Sequence, residues 1–274
     1  MKYFISVDME GISGIVDASM VSRKHPDYER GRKLMAKDTN AAIEAILESD
    51  PDSEITVCDA HGSMNNIDPN DLNKRAVLVR GTPKPQSQLA GLDKTYDACL
   101  FVGYHSKKGT LNGVMSHTYS GGNIEKLQVN GREVGETELN AGIAGYHKVP
   151  LIFVAGDKAV TLEAKEIHPR ITTVSVKEAL GRTAAACLHP EEARKLIGEG
   201  VKKALKVSPK IPPYQVAHPV TFTITFTDAK RADAAALIPT MKRVNGKTVQ
   251  LITDDYISGY HGFIAAVLCG TAVS

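Results

Sequence analysis

No sign of charge dominates this 274-residue chain: 33 basic against 31 acidic side chains leave a formal net charge of +2. Without a basic excess there is no electrostatic footprint for nucleic acid. With 42% hydrophobic residues and no charge excess, the chain is not a disordered one. Long apolar runs are missing too. The longest, Phe263 to Val273, is broken by Gly270 and falls well short of the roughly 20 residues a membrane span needs. The opening MKYFISVDMEG has neither an apolar h-region nor a small-residue cleavage site, so no signal peptide is expected. Cysteine is sparse: Cys58, Cys99, Cys187 and Cys269 form no C-x-x-C, and three of them lie inside apolar runs. That is the pattern of reduced core thiols in a cytoplasmic protein. Familiar catalytic signatures are absent as well: no G-x-S-x-G elbow, no H-E-x-x-H, no G-x-x-x-x-G-K-[ST]. Cys58 and Cys99 fall within predicted strands, poor places for a nucleophile.

What is present is an alternation of short β-like runs and helical patterns, which predicts an α/β fold with a mostly parallel central sheet flanked by helices. Tyr3–Val7, Ile55–Cys58, Ala76–Val79, Ala98–Val102 and Leu151–Ala155 read as strands, and Ala98–Val102 is continuously apolar, as a strand covered on both faces would be. Leu34, Met35, Ile43, Ile46 and Leu47 recur at helical spacing, predicting a helix over 27–49 with Asp27 as its N-cap. Asn130-Gly131 marks a hairpin. Helices are expected over 136–147, after Ala155 through Glu166, and over 190–206. The proline-rich stretch after Lys206 signals a change of organisation, and 218–227 alternates strictly as a half-buried antiparallel strand does. The expected division is therefore a catalytic domain over 1–207 and a smaller α+β lobe over 208–274, which ends in an apolar helix.

The chemistry gathers at the strand ends. Ile5-Ser6-Val7 runs into Asp8-Met9-Glu10, Ile55–Cys58 into Asp59-Ala60-His61, and Leu100-Phe101-Val102 into Gly103-Tyr104-His105. Residues i and i+2 of an extended chain share a face, so each pair projects together. In open α/β sheets ligands bind beyond the carboxyl ends of the strands. A single Asp there is most often a turn former, and a single His a satisfied surface or core residue. His25, His147, His168, His189, His218 and His261 are read that way. Three successive strand ends carrying carboxylate and imidazole, followed by GVMSHT (Gly113–Thr118) and VGE (Val134–Glu136), point instead to a metal site. The donor set suits zinc, manganese or cobalt. Five or more such side chains exceed one tetrahedral centre and suggest two ions sharing a carboxylate.

The blocks SVDMEGISG (Ser6–Gly14), YERGR (Tyr28–Arg32), DAHGSMNN (Asp59–Asn66), GYHSK (Gly103–Lys107), GVMSHT, NGREVGETELNA (Asn130–Ala141) and VAGD (Val154–Asp157) closely resemble the dinuclear-zinc D-aminopeptidases. The resemblance runs over essentially the whole chain and is weakest after Ser208. It implies five metal ligands at Asp8, Glu10, His61, His105 and Glu136, with Asp8 bridging two zinc ions, and a catalytic, non-ligating histidine at His117. Four of those ligands coincide with the strand-end residues; Glu136 comes from the motif alone. Asp59 is expected to orient a ligand or the loop after it, while Glu138 and Asn140 can be read as helix-surface residues. The loop Lys107–Gly113 is a residue longer and more basic than the family pattern, which bears on fine specificity.

The resemblance further implies hydrolysis of N-terminal D-amino acids, D-alanine first, from short peptides. It also implies a homo-oligomer, a ring-shaped decamer of two stacked pentamers; the charge balance, short apolar runs and scattered cysteines add the expectation of a cytoplasmic protein with no nucleic-acid or membrane partner. Two alternatives stand beside it: a two-metal phosphoesterase, weakened by the lack of a basic cluster near the ligands, and a non-catalytic metal-stabilised peptide-binding module.

Overall fold

In a computed structural model, described over residues 1–273, the chain forms β1 (Lys2–Val7), α1 (Tyr28–Ser49), β2 (Glu54–Asp59), β3 (Ala76–Val79), β4 (Ala98–Tyr104), β5 (Ile124–Val129), β6 (Arg132–Glu133), α2 (Glu136–Tyr146), β7 (Leu151–Asp157), α3 (Lys158–Ile167), β8 (Thr172–Gly181), β9 (Ala184–Cys187), α4 (Pro190–Val207), β10 (Val220–Phe226), α5 (Ala229–Ala235), β11 (Lys242–Asn245), β12 (Thr248–Thr253) and α6 (Tyr256–Ala272). Seven strands make one sheet in the order β3-β2-β1-β4-β7-β8-β9, parallel except where β9 turns back on β8. The order reverses between β1 and β4, which leaves a crevice above their carboxyl ends. Val7 is level with both Asp59 of β2 and Val102 of β4. The residues that follow these strands therefore emerge side by side.

Alternation within β1 sends its side chains to two cores. Tyr3, Ile5 and Val7 pack with Met35, Ile43 and Ile46 of α1 and Ile197 and Val201 of α4. Phe4 packs on the other side, with Phe101, Phe222, Phe226 and Phe263. That second core is closed by a five-stranded antiparallel sheet, β11-β12-β10-β5-β6. β10 alternates buried and half-buried residues along its length, as its Thr/apolar pattern predicts. The 207/208 boundary falls at the end of α4. The second sheet draws three strands from beyond that point and the β5–β6 hairpin from well before it. Strand pairing across the fold, rather than sequence position, assembles this layer.

Two local expectations change. Asp27 stands at the N-cap of α1, but its side chain makes no capping hydrogen bond there. Cys58 and Cys99 are buried, as apolar-run thiols should be, whereas Cys187 is exposed on the edge strand β9 and Cys269 is half-buried.

Two glycines let the site close. The amide of Gly11 donates to Gly103 O at 2.7 Å. A Cβ on Gly11 would collide with the Tyr104 carbonyl, and one on Gly103, at φ +72°, with the Asp8 carbonyl. Only glycine permits this backbone-on-backbone contact between the two strand ends.

Candidate metal centre

Asp8 and Glu10 follow β1, His61 follows β2, His105 follows β4, and Glu136 opens α2; His117 lies in the loop between β4 and β5. The fold brings all six together. Asp8 faces two ways: its Oδ1 lies 3.3 Å from His61 Nδ1 and its Oδ2 3.5 Å from His105 Nε2. Glu10 Oε2 is 2.9 Å from His61 Nδ1. Glu136 Oε1 lies 3.4 Å from His105 Nε2 and 3.6 Å from His117 Nε2. The rings of His105 and His117 stack at 4.1 Å. Among the described residues two groups have the geometry to hold a cation, Asp8–Glu10–His105 and His105–His117–Glu136; the seven other histidines belong to neither, and His61 meets the first group only through Asp8 and Glu10.

The rear of each imidazole is fixed on a main-chain carbonyl. His61 Nε2 donates to Val21 O at 3.0 Å, His105 Nδ1 to Ser106 O at 3.0 Å, and His117 Nδ1 to Met115 O at 2.9 Å. A carbonyl only accepts, so the neutral ring must turn its bare nitrogen toward the carboxylates. Lone pairs then face lone pairs across a buried space, which is tolerable only with a cation or added protons between them. His105 Nε2 is buried and makes no hydrogen bond. Two ligand atoms held about 2.0–2.1 Å from a tetrahedral zinc lie roughly 3.4 Å apart. Three of the carboxylate–imidazole distances between the expected ligands, 3.3 to 3.5 Å, have that spacing. The residues present fit the metal.

The protonation pattern of the metal-free cluster makes the same demand for positive charge. Burial and the neighbouring Glu10 push Asp8 up to about 7. Burial opposes ionisation of Glu136, yet His105 beside it wins and holds it down to about 2. His105, against its own burial, is raised to about 10 by Glu136 and Asp8. His117 behaves differently: burial and the adjacent His105 both lower it, which keeps it neutral. It is also the most accessible of the six side chains, at 18%.

Supporting contacts explain several sequence blocks. Asp59 accepts from the amides of Asn66 and Ile67 and from Asn66 Nδ2, so it orders the loop after β2 rather than a ligand ring. Asn66 in turn donates to His61 O at 2.8 Å. Asp157 of the VAGD block accepts from the amide of Val114 at 2.9 Å and so anchors the loop that carries His117. Asn140 is fully buried, not a helix-surface residue. Glu138 faces away from the cluster and accepts from Tyr214.

Sequence reasoning missed three contributors. Lys177, fully buried on β8, donates to the carbonyls of Glu10, Ile12 and Ile15 and pins the loop that bears Asp8 and Glu10. The amide of Tyr119 donates to Glu136 Oε1 at 2.6 Å, and Gln88 Nε2 donates to Glu136 Oε2. No local pattern marks Gln88 or Tyr119, and Lys177 is invisible without the unforeseen strand β8.

A family model for D-aminopeptidases matches residues 1–265. The chain belongs to the D-aminopeptidase family. It is 38% identical over 265 residues to a D-aminopeptidase of Bacillus subtilis strain 168, covering 96% of each chain. Its structure is similar to that of the Zn-dependent D-aminopeptidase DppA from Bacillus subtilis, a self-compartmentalizing protease, with a TM-score of 0.95 and 37% identity over 99% of this chain and 98% of that one.

Proposed function

We propose that this family member is a zinc-dependent aminopeptidase that removes N-terminal D-amino acids, D-alanine first, from short peptides. In this reading Asp8, Glu10, His61, His105 and Glu136 would hold two zinc ions per subunit, Asp8 having one oxygen toward His61 and the other toward His105. The observation that carries it is that His61 and His105, each locked from behind by a carbonyl, aim their other ring nitrogen at two carboxylates apiece across 2.9–3.5 Å. When bound there, zinc supplies Lewis acidity and a water of lowered pKa.

The chain's own residues do the rest. Asp8 presents one oxygen to each half of the cluster, so a single carboxylate balances charge on both sides. Burial of Asp8, Glu10, His105 and Glu136 strengthens every charge interaction at the reacting centre. His117, neutral and with Nδ1 committed to Met115 O, keeps Nε2 free to accept a proton and return it to the departing amine. Its accessibility suits a group that must meet substrate. The Lys107–Gly113 loop ends next to Val114–Thr118 and is proposed to shape the substrate side of the site.

No helix among the described residues is long and apolar enough to cross a membrane, and we place the protein in the cytoplasm, acting on free peptides without a nucleic-acid or membrane partner. The self-compartmentalizing character of the similar protease supports a closed homo-oligomer here, a ring decamer, to be tested by sedimentation velocity.

The deciding experiment is chiral. Zinc-loaded protein is given D-Ala-D-Ala and L-Ala-L-Ala, and amine release is followed with and without chelator. Chelator-sensitive cleavage of the D form alone is expected. Cleavage of p-nitrophenyl phosphate with neither dipeptide touched would replace this reading by the phosphoesterase one.

A further inference from the structure

Behind Glu136 lies a closed ring of buried polar side chains that the reaction itself does not use. Ser6 Oγ donates to the main-chain carbonyl of Gln88 at 2.8 Å and lies 2.7 Å from Tyr104 Oη. Asn140 Nδ2 lies 2.9 Å from Tyr104 Oη and 2.6 Å from Gln88 Oε1. Gln88 Nε2 reaches Glu136 Oε2 and, at 3.4 Å, the carbonyl of Ala60. Ser6, Gln88, Tyr104, Glu136 and Asn140 are all buried.

The direction of every bond in this ring follows from one fixed point. A serine hydroxyl has one proton, and the Gln88 carbonyl can only accept it. Tyr104 must therefore donate its own proton to Ser6 Oγ. Its oxygen is then free only to accept, so Asn140 must turn its NH2 toward it. The same NH2 meets Gln88 Oε1, which forces the amide of Gln88 to present its own NH2 to Glu136. An isolated glutamine beside a carboxylate can swivel; this one is held by a chain that begins at its own main-chain carbonyl, passes through Ser6 of β1, Tyr104 and Asn140, and ends on the carboxylate.

We infer that Gln88 is a positioning residue for Glu136: its amide, oriented by the Ser6–Tyr104–Asn140 ring, occupies Oε2 and turns Oε1 toward His105 as the single oxygen offered to a metal ion. The inference rests on the metal reading above. The Tyr119 amide, 2.6 Å from Oε1, fixes that oxygen from the other side, so Oε1 has one lone-pair direction left, the one facing His105 and His117. Gln88 also ties Glu136 to the β2 end through Ala60, next to His61. A buried amide donor on a ligating carboxylate typically changes metal affinity by about 10–100-fold. Here the effect is confined to one half of the centre, because nothing in the ring touches Glu10 or His61 side chains.

The test strips the full-length protein with chelator, reloads it with zinc alone and titrates it against a chromophoric zinc chelator. Gln88→Met keeps the volume and removes the donor. The expected result is an affinity lower by about 10–100-fold for one zinc equivalent, parent affinity for the other, and activity restored by raising free zinc. Asn140→Leu leaves Gln88 in place without its orienting donor and is expected to weaken the same equivalent by a smaller, several-fold factor; it carries the test if Gln88→Met does not fold. Circular dichroism of the chelated variants checks the fold. Parent-like affinity for both equivalents, or equal weakening of both, overturns the role of Gln88 while leaving the metal reading intact. A parent protein that binds no zinc overturns the metal reading and this inference with it.

Discussion

Asp8, Glu10 and His61 sit in the turns that directly follow two adjacent parallel strands whose ends are level. His105, His117 and Glu136 come from a strand end, an irregular loop and the first turn of a helix, joined across the order reversal of the sheet. The supports differ accordingly. The first group rests on backbone devices: the glycine contact at Gly11 and Gly103, and Lys177 capping three loop carbonyls. The second rests on side chains, with Gln88, Asn140 and Tyr104 holding Glu136. Strand geometry positions ligands at no extra cost where strands are neighbours. Where the donors come from unlike elements, a buried polar network does the positioning; here it leaves one buried atom, Asn140 Oδ1, without a hydrogen bond.

Asp8 belongs to the first group but turns one oxygen toward His105 of the second, so Asp8→Ala is the largest perturbation. It is expected to lose both zinc equivalents by metal analysis and all measurable activity; retention of one equivalent would show the halves to be independent. His117→Ala separates proton transfer from metal holding. It is expected to keep its zinc and lose roughly 10²-fold or more in kcat, the scale of a general acid–base group; loss of zinc instead would move His117 into the ligand set with His105 and Glu136.

Metal removal should expose the charge imbalance of both halves through pH. Without metal, Asp8 rises to about 7 by burial and Glu10, against 3.8 ordinarily, and His105 rises to about 10, where Glu136 overcomes burial, against 6.5 ordinarily. The folded state then keeps protons that the unfolded chain has released, so stability falls as pH rises. The Asp8 share is lost between about pH 4 and 7, and the His105 share between about 6.5 and 10. Glu136, held at about 2, acts oppositely but only below pH 4.5. Zinc-loaded protein has already given up these protons. The gap between loaded and chelated melting midpoints is therefore expected to widen from pH 6 to pH 9; a constant gap would count against charge compensation by metal. The smallest effect is a control remote from both halves. Asp27→Ala, at a cap position without a capping bond, is expected to shift stability by no more than about 0.5 kcal/mol and zinc binding not at all.

Legibility tracked the range of the interaction. The strands at 2–7, 54–59, 76–79, 98–104 and 151–157 and the helices at 28–49, 136–146 and 190–207 stood within a few residues of where the apolar pattern placed them, because all but the half-exposed 76–79 bury a continuous face. The β8–β9 hairpin escaped notice: Thr172–Gly181 is half-exposed along much of its length, and TTVSVKEALG carries no clean alternation. Asp8, Glu10, His61 and His105 were visible as polar groups at apolar strand ends. Glu136 was not, since an acidic residue in the first turn of a helix is ordinary dipole chemistry. Asn140 was misread as surface because a short, small-residue helix such as α2 shows almost no polar face to contrast with its buried one.

By itself the sequence determined the elements and the kind of chemistry: periodicity encodes local burial, and the six donor side chains are a matter of residue type. Tertiary structure alone decided which donors meet. Only the strand order put β1 beside β4 and levelled their ends with β2, only the folded loops turned three imidazoles so that carbonyls take their rear protons, and only packing delivered Gln88 and Lys177 from distant segments. Hydrogen-bond direction and ligand spacing are properties of atoms brought together across the chain, and no local pattern carries them.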